Sequence, residues 1–511
     1  MKICSLSRIR LLVYICAVSY GLTFWSVTPL DPDLGWHLLG GEWTATHRAV
    51  PSTDFINLFG STWHDYHWLA QLLMWWTFSV GGFLGLMWAF GLVMAAVFAS
   101  LVFIADRVMR GKLLGAGVVL AVLCAVLAAE GVASHRPQMI ALVGLAVAVG
   151  VLVRKRQTGE LAALFIGTVI ISNMHVYWIF IPLLWFIYRV LPARAEQQRR
   201  YGVLGLGLLC SAPLLSPYGL FGGDFSLLGI FQNYIVLFDY IFTPQILTST
   251  LLEFRSSFAD AGSSRWLLLG SLLVVAREWG RGPRLVRRGD LYLFLLGAGL
   301  AISKVKFIAL FGVFSMPLML RLLPRVLRSF GKQRSTAPAS ATIGILSTMA
   351  IASLVFASLN RPTNSYEPGN IAIMYPIDAC DHIAHDESLA SLSRPIRVLA
   401  SFDHGGWCRW SMNRSAPSLD ARVMADGRTQ GQGGEYYQQL FDLFALKGAW
   451  ISTLSTWRPD FAVVSKDTAL AQFMALAGNA WTLVYQDGNF ALFRARRDDL
   501  RPNENSSAGA N

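Results

Sequence analysis

Apolar residues along this chain gather in long runs. One covers 83–105 and another, less apolar, 339–359; a helix crossing a hydrocarbon core needs roughly 20 such residues. Read this way, the runs predict helices over 11–30, 83–105, 113–130, 137–153, 161–175, 177–191, 201–216, 265–279, 290–303, 307–323 and 340–359, an α-helical polytopic membrane protein of about 11 spans. After Arg361 the pattern changes to short alternating segments and scattered charge. Strands are expected at 396–402, 462–465, 483–485 and 490–493, with Gln486-Asp-Gly-Asn489 as a hairpin turn and Gly405-Gly406 as a turn after the first strand. Helices are expected over 367–386, 435–447 and 468–478. The division that follows is a transmembrane domain over 1–360, a soluble α/β domain over 361–500 and a disordered polar tail over 501–511.

Two polar stretches interrupt the apolar runs, at 31–82 and about 217–264, and both mix aromatics with carboxylates; the first also carries histidines. Within the first, 68–80 is apolar but short and fits a helix lying along the membrane surface. Charge supplies a direction. Basic clusters at Lys2/Arg8/Arg10, Arg107/Arg110/Lys112, Arg154/Lys155/Arg156, Arg194/Arg199/Arg200, Arg281/Arg284/Arg287/Arg288 and Arg325/Arg328/Lys332/Arg334 fall at every second helix boundary. Short loops rich in Lys and Arg stay cytoplasmic, so the N-terminus is expected inside and the C-terminal domain outside. The first apolar run follows Lys2, Arg8 and Arg10 but has no small-x-small cleavage site, and reads as a retained helix.

Composition agrees with a bilayer setting: 54% of residues are hydrophobic and only 14% charged, where soluble chains average about 25%. The net charge of +12 is then a matter of topology, with membrane lipids and not nucleic acid as the expected partner. The six cysteines show no metal-ligand spacing. Cys380 and Cys408 fall in the soluble domain, where a disulfide and two free thiols both stand as readings.

The chain has no GxSxG, HExxH or Walker loop, so any catalysis must use outer loops and helix ends. Asp31 and Asp33 follow the first helix at the mouth of the membrane. Either acts as a general base or cation ligand, or the Asp-Pro-Asp run simply caps the next helix. His37 lies four residues after Asp33, and His64, Asp65 and His67 occur further along the same loop. Asn173 and His175 interrupt an apolar hairpin. Lys304 and Lys306 sit at an outer boundary against the charge trend, where they pair with a specific phosphate or snorkel to lipid headgroups.

These motifs, taken in order, resemble those of bacterial multi-spanning glycosyltransferases of the GT-C type. The resemblance runs through Asp31-Pro-Asp-Leu-Gly-Trp-His-Leu, Gly41-Glu-Trp, Val50-Pro-Ser-Thr-Asp, Trp68-Leu-Ala-Gln, Arg136-Pro-Gln, Asn173-Met-His, Ser216-Pro-Tyr-Gly, Glu253-Phe-Arg and Lys304-Val-Lys-Phe. It ends in the soluble domain at Asp403-His-Gly-Gly-Trp and Asp426-Gly-Arg428. It implies a GT-C-like fold in the bacterial inner membrane. The implied activity is transfer of a sugar from a polyprenyl-phosphate carrier to a glycan, lipid or protein acceptor on the extracytoplasmic face. By the same resemblance Asp33, with Asp31 second, is the catalytic carboxylate, Asp33 is the candidate ligand of a divalent cation such as Mg or Mn, and Lys304, Lys306, Arg136 and Arg255 form the donor-phosphate site. His37, His64, Asp65, His67, Asn173, His175 and Glu253 take supporting roles. The chain departs from the pattern at Gly35, where relatives often carry Trp, at Gln71 in place of an acid, and in using lysines where arginines are common. A transporter of lipid-linked glycans, or an inactive scaffold that binds lipid phosphate, is the rival reading.

Overall fold

The structure, a computed structural model, describes residues 2–23, 30–60, 63–109, 136–219, 256, 264–281, 286–330, 368–428 and 432–496. The expected helices 113–130 and 340–359, most of the 217–264 loop with Glu253 and Arg255, and the 501–511 tail lie outside these residues. The chain divides into two compact units. One holds the helices (1–29, 80–243 and 247–363); the other combines 30–79 and 244–246 with 364–511.

The helical unit follows the apolar runs. Its described helices are α1 (Lys2–Thr23), the part of α3 (Trp68–Met109) after residue 79, α4 (Pro137–Leu152), α5 (Glu160–Ser172), α6 (Phe180–Trp185), α7 (Glu196–Ser211), α8 (Ser264–Arg281), α9 (Arg288–Ser303) and α10 (Ile308–Phe330). Among the described residues, two helices are long and apolar enough to cross a membrane, Trp68–Met109 and Val305–Leu322. Gly82 breaks α3 with φ 57° and ψ −151°, between the short stretch expected at the surface and the longer expected span.

Two expectations shift. The first helix lies several residues earlier than 11–30. The stretch expected as one helix over 177–191 is a 3-10 turn (Val176–Ile179), then α6, then a wider turn (Phe186–Val190) in which the Leu191 amide donates to Phe186 O, 3.0 Å. Pro182 in α6 has no N–H to donate to the carbonyl ladder, which favours an irregular entry.

Several arginines at helix ends bind carbonyls and a carboxylate of neighbouring segments. Arg189 grips Glu160 through two bonds of 2.8 Å and donates to the Leu152 and Arg154 carbonyls, each at 3.2 Å. Arg287 donates to Val153 O at 2.5 Å, and Arg154 to Arg107 O at 3.5 Å. Boundaries near 107, 154, 189 and 287 therefore meet at one end of the bundle.

The second unit is built on a five-stranded sheet in the order β2-β1-β3-β5-β4. Its strands are β1 (Ile396–Ala400), β2 (Ala421–Val423), β3 (Phe461–Ser465), β4 (Trp481–Gln486) and β5 (Phe490–Ala495). β2, β1 and β3 run parallel; β5 is antiparallel to both β3 and β4. The central strands read as near-continuous apolar runs because both faces are covered. One face carries Leu399, Ala462, Val464 and Phe493 into a core with Leu440, Leu443, Trp457 and Leu470. These last come from α14 (Gly434–Ala445), α15 (Trp450–Trp457) and α16 (Ala469–Leu476). Against the sheet also pack α12 (Ile377–Ala384), along β4 and β5, and α13 (Gly405–Ser415), along β1. The helix expected over 367–386 is two pieces, α11 (Pro368–Met374) and α12, because Pro376 interrupts it.

The first loop belongs to this unit. α2 (Leu34–His47) packs on α13, and residues 56–58 extend the sheet beyond β2. The Val423 amide donates to Ile56 O at 3.0 Å, and the Leu58 amide to Val423 O at 2.8 Å. Leu58 enters the core of the sheet. The glycines expected as a turn after β1 instead begin α13. A side chain on Gly35 would lie 2.6 Å from the Trp407 backbone nitrogen, and one on Gly405 would overlap Ala425 O. Small residues let α2, α13 and the turn after β2 touch backbone to backbone, which gives the departure at Gly35 a packing reason.

Cys380 and Cys408 form a disulfide joining α12 to α13 across 28 residues. Closing a loop of that length removes denatured-state entropy worth about 3.5 kcal/mol. The Cys380→Ser/Cys408→Ser variant is expected to melt about 10 °C below the wild type, at 2–4 °C per kcal/mol for a unit of this size. Differential scanning fluorimetry with and without reductant checks it; reductant must lower the wild-type melt and leave the variant where it is.

Candidate active site

The site residues of the first loop are placed by the start of α2 and the start of α3. Asp31 and Asp33 divide the work. The Asp31 carboxylate accepts the Asp33 backbone N–H at 2.8 Å, and its backbone oxygen accepts the Leu34 amide at 3.1 Å and the Trp407 indole N–H at 3.1 Å. Trp407 stacks on Tyr375 at 4.6 Å, and the Tyr375 hydroxyl donates to Leu30 O at 2.8 Å. Asp31 is thus 4% exposed and serves the turn. Asp33 stands at the N-cap of α2 but its side chain makes no cap bond; its Oδ1 accepts the Trp36 indole N–H at 3.1 Å. Asp31 thus closes the turn that leads into α2, while Asp33, at the N-cap position, bonds the Trp36 indole through its side chain.

Around Asp33 the loop gathers aromatic and imidazole rings. Trp36 lies on His37 with centroids 3.7 Å apart, and His37 meets His67 edge-on at 5.4 Å. His67 also contacts Trp36 at 5.9 Å and Tyr66 at 4.0 Å. Asp65, two residues before His67, is fully buried, and its Oδ1 accepts the His67 amide at 3.1 Å and the Gln71 side-chain N–H at 2.9 Å. Gln71, where relatives often carry an acid, is therefore a partner of the acid that this chain has. His64 is half-buried beside this group.

Burial pushes the Asp65 carboxyl up to about 7, since an apolar setting disfavours the charge; the His67 amide, Arg428 and Gln71 oppose this without offsetting it. The ordinary value is 3.8. Between the two, the folded chain keeps a proton that the unfolded chain releases, so stability falls as pH rises from about 4 to about 7 and is level above, a change on the order of 4 kcal/mol. Asp65→Asn keeps the Oδ1 acceptor and has no such proton to lose. Its melting temperature is expected to gain on the wild type between pH 5 and pH 8; a constant difference across that range would refute the assignment.

The turn after β2 reaches this loop. Arg428 donates to Asp426 through Nε at 2.9 Å and Nη2 at 2.6 Å, the local salt bridge that two charges flanking a glycine favour. Its Nη2 also reaches both oxygens of Asp54, at 2.9 and 2.8 Å, and its guanidinium lies 4.5 Å from the Trp63 ring centroid. Asn57 donates to Asp426 Oδ2 at 3.2 Å. Gly427, with φ +81°, presents its bare Cα to Asp33: a Cβ there would lie 2.6 Å from Asp33 Oδ1. His404, in the Asp403-His-Gly-Gly-Trp motif, is driven down to about 4 by burial and is neutral near pH 7.

Asp54, Asn57, Trp36 and Trp63 were not among the expected site residues, although Asp54 ends the Val50-Pro-Ser-Thr-Asp motif. The remaining expected residues belong to the helical unit. Lys304 caps the C-terminus of α9, and Lys306 lies in the following 3-10 turn; they are 8% and 5% exposed. Arg136 is the N-cap of α4. Asn173 donates to Val169 O at 2.8 Å and Leu215 O at 3.1 Å, and the His175 ring accepts the Tyr177 amide at 3.2 Å, so both support the backbone.

The fold of the chain is similar to that of an oligosaccharyltransferase. The solved structure of the Archaeoglobus fulgidus oligosaccharyltransferase tethered to an acceptor peptide containing the NVT sequon is similar to this chain with a TM-score of 0.58, at 12% identity over 89% of this chain and 69% of that one. The same archaeal enzyme, AglB, solved with an inhibitory peptide and a dolichol-phosphate, gives the same values. It has also been solved with Zn and sulfate, at a TM-score of 0.54. The structure of ArnT from Cupriavidus metallidurans in the apo state aligns with 94% of this chain and 97% of its own at 14% identity, with a TM-score of 0.43. No protein-family model matches the sequence, and no curated protein does.

Proposed function

We propose that this chain is a glycosyltransferase of the bacterial inner membrane that moves a sugar from a polyprenyl-phosphate carrier to an acceptor on the extracytoplasmic face. The observation that carries the reading is the Asp33 carboxylate at the start of α2, bonded to the Trp36 indole, which in turn contacts the His37 and His67 rings, in a first loop that is built into the C-terminal sheet. The oligosaccharyltransferase fold supports it, and the A. fulgidus enzyme was solved with a dolichol-phosphate, a carrier of the proposed class. The Cys380–Cys408 disulfide suits an oxidising compartment and hence an extracytoplasmic C-terminal unit.

Asp33 takes the proton of the acceptor nucleophile as that atom bonds to the anomeric carbon, and the bond from that carbon to the carrier phosphate breaks. Lys304, Lys306 and Arg136, with Arg255 outside the described residues, are the proposed cations for the departing phosphate. Among the described residues, no three His, Cys, Asp or Glu side chains come together as a metal-holding set. Asp33 is the residue that would hold a divalent cation, which would supply Lewis-acid activation of the acceptor nucleophile.

The test is transfer from a radiolabelled polyprenyl-phosphate sugar by the full chain in liposomes, read as release of free polyprenyl phosphate and label in the acceptor fraction. Movement of the labelled lipid between leaflets without release would make the chain a transporter. Neither release nor movement would make it a scaffold.

A further inference from the structure

The Asp426-Gly-Arg428 motif stands in the C-terminal domain, far along the chain from the loop carboxylates, and the chemistry above leaves it without a task. We propose that this turn is a positioning element for Asp33, so that the sheet domain sets the geometry of the carboxylate. The proposal rests on the reading of Asp33 as the base.

Two features point to it. First, the turn fits the carboxylate from one side: Gly427 has φ +81°, and its missing Cβ would fall 2.6 Å from Asp33 Oδ1 and 3.6 Å from the Trp36 indole nitrogen that donates to the same oxygen. Asp33 is therefore confined between the indole and a backbone that has no side chain to yield. Second, the turn is held by the loop it serves. Arg428 binds both oxygens of Asp54, Asn57 binds Asp426, and residues 56–58 hydrogen-bond with Val423, just before the turn. Asp54 Oδ1 in addition accepts the Ile56 and Asn57 amides at 2.9 and 3.0 Å, which fixes the loop at the point where Arg428 grips it. Two separate pieces of chain are thus locked to each other on the far side of the carboxylate they confine. A base acts through the direction and distance of its lone pair, and a displacement of about 1 Å can cost 100-fold in rate.

The probe is a fluorine label on the Trp36 indole, because its N–H donates to Asp33. The full chain is labelled with 5-fluorotryptophan in detergent, the Trp36 signal identified by its loss in Trp36→Phe, and its position followed with pH. In Gly427→Ala the added methyl is expected to shift this signal and its titration midpoint and to lower kcat at least tenfold, with KM for the lipid donor within twofold of wild type. Asp54→Asn, which keeps the amide acceptor and loses one oxygen for Arg428, is expected to move both readouts the same way by about threefold in kcat without the backbone strain of the first variant. An unmoved Trp36 signal and titration in both folded variants would overturn the proposal. A shifted signal with unchanged kcat would uphold the positioning and overturn Asp33 as the base.

Discussion

Replacing Asp33 by Asn is expected to lower sugar transfer about 1,000-fold, with the melting temperature within 2 °C of wild type; the first figure is the middle of the range for a positioned general base. The variant isolates proton affinity. Asn keeps Oδ1 for the Trp36 indole, and because the Asp33 side chain makes no cap bond, the start of α2 loses nothing. Asp31→Asn is the matched control. Its Oδ1 serves the Asp33 backbone N–H, which an amide oxygen also accepts, so transfer is expected within threefold of wild type. Release of polyprenyl phosphate measured side by side for the two variants decides the matter. Equal losses at 31 and 33 would say that the turn matters and the base does not, and full activity in Asp33→Asn would remove Asp33 from the chemistry.

Arg428→Met is expected to destabilise the C-terminal unit by about 3–5 kcal/mol, the usual cost of removing one partner from a buried ion pair. The size follows from what is left behind. Asp54 and Asp426 have side chains only 8% and 2% exposed, and without the guanidinium two carboxylates face each other out of water. Met fills much of the volume and keeps contact with Trp63, so the loss is one of charge compensation. Adding Asp54→Asn should then recover a measurable share of the stability, because one of the stranded charges is gone. Thermal melts of the two single variants and the double variant form the cycle. A double variant less stable than Arg428→Met alone would show that packing, not the charge, carried the effect.

Much of the architecture was written in local pattern. An apolar run over 83–105 has few homes outside a bilayer, and the helix after Gly82 covers it. Period and composition place β1, β3, β4 and β5 close to the expected strands. β2 escaped notice because three residues carry too little periodicity to be read, and α13 was hidden because a pair of glycines after a strand looks like a turn. The glycines are there for close approach between backbones, which no local signal records.

The candidate site divides in the same way. Sequence by itself marked Asp31, Asp33, Asp65 and the histidines of the first loop, because polar residues between apolar runs stand out, and it set the alternation of basic and base-poor boundaries. Tertiary structure decided that Asp31 holds the turn before α2 and that Asp33 bonds the Trp36 indole. It also buried Asp65 enough to raise its proton affinity and brought Asp54 to Arg428 across 374 residues. Burial and charge pairing depend on which segments the fold closes upon one another, and that closure is fixed by the sum of many weak contacts, not by the residues on either side of any one charge.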